Sequence, residues 1–98
     1  FPFEDPKLDL QGGWRGYLIE VRVLDENEIP VDEVEAMERE LARFDKVPRK
    51  IGILVARFKD KITAKAEKRA KSSDYDIILT DSSSVYSDLT NFVESKQS

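Results

Sequence analysis

Six consecutive apolar residues, Ile51-Gly52-Ile53-Leu54-Val55-Ala56, constrain the fold of this chain more than any other segment. Strand side chains alternate between faces, so an unbroken apolar run is apolar on both. A strand of that kind belongs inside a parallel sheet that is covered on both sides. The flanking segments supply the covers. Val34, Met37, Leu41 and Phe44 recur at spacings of three, four and three, which predicts an amphipathic helix over 31–44. Pro30 suits its start, and Asp32 and Glu35 place negative charge where the helix dipole favours it. Glu33, Glu35, Glu38, Arg39, Glu40 and Arg43 fall on the polar face. After the apolar run, Ile62, Ala66 and Ala70 line one side of a second helix over 61–72, with Asp60 as its expected cap. Residues 75–80 read as a further apolar strand. Ser82, Ser83 and Ser84 then open a third helix over 85–94 that buries Leu89, Phe92 and Val93. Asp76 and Asp81, which bracket the strand, read as a cap and a surface charge.

Upstream, Gln11-Gly12-Gly13 and Gly16 are turn residues. They separate a short strand at 7–10 from a longer one at 14–24, which together make a hairpin. The expected order is hairpin, helix, strand, helix, strand, helix. This describes one α/β domain over 1–98, with a mixed sheet flanked by helices. The opening Phe1-Pro2-Phe3 fits a processed chain or a fragment of a longer one.

The chain has no Cys and no His. Disulfides, Cys/His zinc sites, thiol nucleophiles and imidazole bases are thereby excluded. Any catalysis falls to Asp, Glu, Lys, Arg, Tyr, Ser or Thr, an inventory suited to a hard cation such as Mg²⁺. Lack of Cys agrees with an intracellular, cytoplasmic location. No apolar run is long enough to span a bilayer, so no membrane partner is expected.

The formal net charge of −4 conceals a strong asymmetry. Residues 1–45 carry 13 acids and 5 bases, residues 46–71 carry 10 bases and 2 acids, and residues 72–98 carry 5 acids and 1 base. A basic block between two acidic ones makes a two-sided molecule. Lys61, Lys65 and Lys68 form a stripe at helical spacing, and Arg49, Lys50, Arg57 and Lys59 lie close in sequence. These seven are candidate contacts to a DNA backbone. A solvated helix face is the plainer account of the stripe.

The strand Tyr17-Leu18-Ile19-Glu20-Val21-Arg22-Val23 holds two charges in an otherwise apolar run. Glu20 and Arg22, two residues apart, point to the same face. Unpaired charges are costly to desolvate, so they either pair with neighbours or serve chemistry.

The glycine turn, the strand with Glu20-Val21-Arg22 and the order helix–strand–helix–strand that follows resemble the PD-(D/E)xK nuclease core. The segments Ile51 to Ala66 and Tyr75 to Thr80 are similar to Mrr-type restriction endonuclease domains, and Holliday-junction resolvases share the layout. The resemblance implies a restriction-endonuclease-like fold and a Mg²⁺- or Mn²⁺-dependent deoxyribonuclease. In that family an Asp across the hairpin and the strand Glu hold the metal. Carried over, Glu20 is the strand acid, Arg22 stands where the family has Lys, and the Asp is Asp9 or Asp5. A two-residue turn at Gly12-Gly13 sets residue 5 opposite Glu20, whereas a loop over 11–16 brings Asp9 diagonal to it. Leu8-Asp9-Leu10 is the more strand-like context and favours Asp9. Arginine binds phosphate but does not readily act as a base. DNA is the implied partner, with a homodimer or larger assembly as the implied state. The alternative is a catalytically inactive nuclease-fold module for DNA binding or protein assembly. A flavodoxin-like binding domain is a weaker reading, since Gly12-Gly13 precedes a strand rather than a helix.

Overall fold

The computed structural model describes residues 17–24 and 28–97. The expected first strand of the hairpin and its glycine turn, with Asp5 and Asp9, lie outside the described residues, whereas the second strand is described from Leu18. Three strands and three helices alternate: β1 (Leu18–Leu24), α1 (Val31–Ala42), β2 (Lys50–Ala56), α2 (Ala64–Ser72), β3 (Asp76–Asp81) and α3 (Val85–Gln97). A 3-10 turn (Lys59–Lys61) precedes α2. The strands form a parallel sheet in the order β1-β2-β3, with Glu20 beside Gly52 and Leu54 beside Leu79.

Both faces of β2 are buried, as its unbroken apolar run requires. On one face Leu24 and Leu54 pack with Val34, Met37 and Leu41 of α1 and Ala66 of α2. On the other, Ile19, Ile51, Ile53 and Val55 pack with Leu89 and Val93 of α3. Helices α1 and α2 therefore share one face and α3 covers the other. A sheet that grows in one direction through right-handed crossovers puts successive helices on the same side. The chain changes sides only after β3.

Gly52 explains how closely α1 approaches the sheet. A Cβ at residue 52 would stand 2.7 Å from the Met37 Sδ and 3.1 Å from Leu41 Cδ1. The thioether occupies the space that a side chain would need, so only glycine fits this register position.

Three helix boundaries differ from expectation, the first of them for a tertiary reason. The second helix is not capped by Asp60 and does not begin at Lys61. Ile62 is drawn into a parallel bridge with Ile29 and held extended, so the helix starts after it. Thr63 is the cap. Its hydroxyl accepts the Ala66 N–H at 3.2 Å and donates to the Ile29 carbonyl at 2.8 Å. The first helix stops at Ala42 rather than Phe44, and Arg43 to Lys46 form a turn. The last helix runs three residues beyond the expected Glu94. Asp81 is not a surface charge but a buried group at the end of β3. No helix among the described residues is long and apolar enough to cross a membrane.

Candidate functional site

Strand alternation turns Glu20 toward α1, as it does Arg22. Together with Ala36, Arg39 and Glu40 they line a cleft of about 370 Å³ between the β1 edge and the helix. Glu20 is 7% exposed, and no hydrogen bond or ion pair joins its carboxylate to another described residue. Burial raises its pKa above the ordinary carboxylate range. The neighbouring Glu40 raises it further, and Arg43 partly opposes this. Glu40 is itself in a salt bridge with Arg43 at 3.2 Å. The cleft thus presents a desolvated acid beside a second acid, with arginines at its rim.

The two charges on β1 do not pair with each other. Arg22 Nε lies 2.6 Å from Glu33 Oε1, although that oxygen accepts no well-aligned hydrogen bond. The Arg22 side chain is 57% exposed, so the pair is solvent-screened and weak.

Glu33, Ala36, Glu40 and Arg43 follow one another at spacings of three, four and three. They form the flank of α1 that faces β1. Glu40 and Arg43 are exposed, as the polar face of the helix predicts, and the flank they occupy also borders Glu20. The same periodicity, read for the flank rather than for the apolar stripe, would have placed them beside Glu20.

The candidate DNA contacts divide into two groups. Lys50 is half-buried, with its ammonium donating to the Phe44 carbonyl at 2.7 Å and lying 5.5 Å from the Tyr75 ring centre. Arg49 stands next to it at the start of β2. Arg57, Lys59 and Lys61 follow the other end of that strand, roughly 23 Å away at the usual strand rise. Lys65 and Lys68, both exposed, continue from there along α2. Helix α1 stands between this row and Glu20. Its α2-facing flank is occupied by Glu38, which pairs with Arg69 at 2.9 Å and accepts the Ser73 hydroxyl at 2.7 Å. Among the described residues the cations beside Glu20 are therefore Arg22, Arg39 and Arg43, not the lysine row.

At the carboxyl end of the sheet, Asp81 is a second buried acid. Burial pushes its pKa up, but hydrogen bonds from Ser84 and Ser83 outweigh this, with Lys59 assisting, and hold it below the usual carboxylate range. The Ser83 hydroxyl is 3.0 Å from Asp81 Oδ1. This acid is satisfied by its own turn, unlike Glu20. Thr80, fully buried, donates its hydroxyl to Asp88 in the first turn of α3. Asp76 lies 3.8 Å from Lys96.

No cluster of three or more His, Cys, Asp or Glu able to hold a metal occurs among the described residues. Glu20 fits as one ligand by its burial and lack of a partner, and Glu40 is the next described acid in the cleft. Comparison with protein-family models, with curated proteins and with solved structures returns no match.

Proposed function

We propose that this chain is a nuclease-like α/β domain that binds DNA and hydrolyses phosphodiester bonds at the Glu20 cleft. The observation that supports this most is the state of Glu20. A largely buried carboxylate that no described residue hydrogen-bonds, with Arg43 only partly offsetting its charge, is disfavoured by itself and becomes favourable beside a cation. Glu20 and Asp9, or Asp5 in its place, would hold Mg²⁺ or Mn²⁺, with Glu40 in reach of the same cleft. A divalent ion there supplies charge to the scissile phosphate and a more acidic bound water. Arg22 contacts the phosphate through the nitrogens it does not present to Glu33, and Arg39 adds positive charge at the rim. Arg57, Lys59, Lys61, Lys65 and Lys68 steer the DNA backbone from beyond α1, about one helix diameter away. Arg49 and Lys50 sit at the opposite end of β2, and Lys50 is already committed to Phe44, so these two contribute least.

Arginine at residue 22 favours a second reading, an inactive module on the same scaffold that only binds DNA or assembles with protein. The two are separated by incubating the protein with plasmid and Mg²⁺ or Mn²⁺, and repeating with Glu20→Ala. Metal-dependent nicking lost in Glu20→Ala supports hydrolysis. Nicking that survives the substitution, or none with either metal, refutes it. Salt-sensitive DNA retention in both proteins without nicking supports the binding module. The absence of retention as well refutes both hydrolysis and DNA binding.

A further inference from the structure

On the reading that this chain binds DNA, we infer that the carboxyl edge of the sheet, where β2 and β3 end, takes an unpaired strand and stacks its bases on Phe58 and Tyr86. Open parallel sheets bind ligands outside the carboxyl ends of their strands, where neighbouring strands send their connections to opposite faces. Among the described strands that place is between β2 and β3, since α2 and α3, which follow them, cover opposite faces. The two loops that leave it are joined. The Ser82 N–H donates to the Ala56 carbonyl at 2.9 Å, and the Ser82 hydroxyl donates to the Arg57 carbonyl at 3.3 Å.

Exposed rings and positive charge coincide at this edge. Among the described residues three large apolar side chains are exposed, Val23, Phe58 and Tyr86, and the two aromatic ones both stand here. Phe58, 57% exposed, follows β2 by two residues, and Tyr86, 51% exposed, is in the first turn of α3. The Arg57 guanidinium lies 5.5 Å from the Phe58 ring centre. Aromatic rings and arginine planes are the surfaces on which bases stack. Arg57, Lys59 and Lys61 supply the charge that follows a phosphate backbone, with Asp60 the one acid among residues 57–61. Lys59 is close enough to Asp81 to help lower its pKa, which sets its ammonium beside the turn that leads to Tyr86. Two extended residues, one strand spacing, one turn and two helical residues separate Phe58 from Tyr86, at most about 25 Å in all. About seven nucleotides at the stacked rise cover that span, a length typical of single-strand sites. A duplex keeps its base faces stacked on one another and offers such rings only its backbone, whereas an unpaired strand has base faces to give.

The test is fluorescence anisotropy with end-labelled oligothymidine of about twelve nucleotides and with a duplex of the same length, in EDTA so that neither is cut. The expected result is salt-sensitive binding of both probes. Phe58→Ala and Tyr86→Ala each weaken the single strand about tenfold and the duplex less than about twofold. Phe58→Leu, which keeps an apolar side chain without a ring, weakens the single strand as Phe58→Ala does, and Phe58→Tyr retains it. Both positions are exposed, and circular dichroism verifies that each variant folds. Three results overturn the inference and leave DNA binding standing: a single strand that does not bind beside a duplex that does, single-strand binding indifferent to loss of the rings, or equal losses on both probes. Binding of neither probe removes the DNA reading with it.

Discussion

Replacing Gly52 by alanine tests how tightly α1 is seated on the sheet. The added methyl would meet the Met37 thioether at 2.7 Å and Leu41 Cδ1 at 3.1 Å. Ordinary carbon contacts begin near 3.5 Å, so both neighbours must give way. Residue 52 and Leu41 are fully buried, and Met37 nearly so, so the thioether can yield only toward the Glu20 cleft that it lines. Overpacking of this type costs about 1–3 kcal/mol. Exchanging glycine for alanine returns about 0.5–1 kcal/mol of backbone entropy. The net expectation is a loss of about 1–2 kcal/mol, or a Tm lower by about 4–16 °C for a domain of this size. Urea denaturation followed by circular dichroism measures it. Met37→Ala alone should also destabilise, by about 2–5 kcal/mol, because it leaves a cavity. In the double variant the new methyl fills part of that cavity. The two losses should fall short of additivity by about 0.5–3 kcal/mol. A Gly52→Ala protein as stable as the parent, or strictly additive losses, would refute the account of α1 resting in the glycine notch.

Three further substitutions probe the charges and the cap. Glu20→Gln should stabilise the protein at neutral pH: the folded-state pKa of Glu20 is raised, so its ionisation costs stability as pH climbs from the unfolded carboxylate value through the folded one. Thermal melts across that range should show the advantage of Glu20→Gln vanishing in acid and complete above the folded-state pKa. Asp81 has the opposite sign. Its lowered pKa contributes stability above the unfolded value that is lost as pH falls through the folded one, so the deficit of Asp81→Asn should shrink on acidification. Thr63→Ala removes the α2 cap and one of two donors to the buried Ile29 carbonyl, which keeps the backbone N–H of residue 63, for an expected loss of about 1–2 kcal/mol in denaturant titrations.

Periodicity made most of the α/β architecture legible. The apolar run at 51–56 announces a central strand, and Leu89 and Val93 are buried where their spacing put them. The same logic turned Glu20 and Arg22 to one side of β1. It failed where a distant residue decided the outcome. Nothing local in Lys61-Ile62-Thr63 says that Ile29 will capture Ile62 and delay the helix. Asp81 looked like a surface acid because its donors, Ser83 and Ser84, serve equally well as helix caps. The seven basic residues looked continuous because sequence proximity hides the length of β2, which carries Lys50 and Arg57 to opposite ends. Glu40 is exposed, as the polar face predicts, but the apolar stripe alone does not tell that the flank beside it borders the cleft.

Helices α1 and α2 are fastened to each other at both ends. The Ile29 carbonyl, one residue before Pro30, accepts the hydroxyl of the residue that begins α2. At the far end, Glu38 holds both Arg69 and Ser73. Helix α3 has no share in either fastening. The pair therefore behaves as one plate, a single cooperative unit in local opening, with α3 a separate one. Hydrogen exchange should report common opening energies for α1 and α2. Common opening energies would make the helix pair, with the Glu20 cleft on one flank and the lysines on the other, the mechanical unit of this fold.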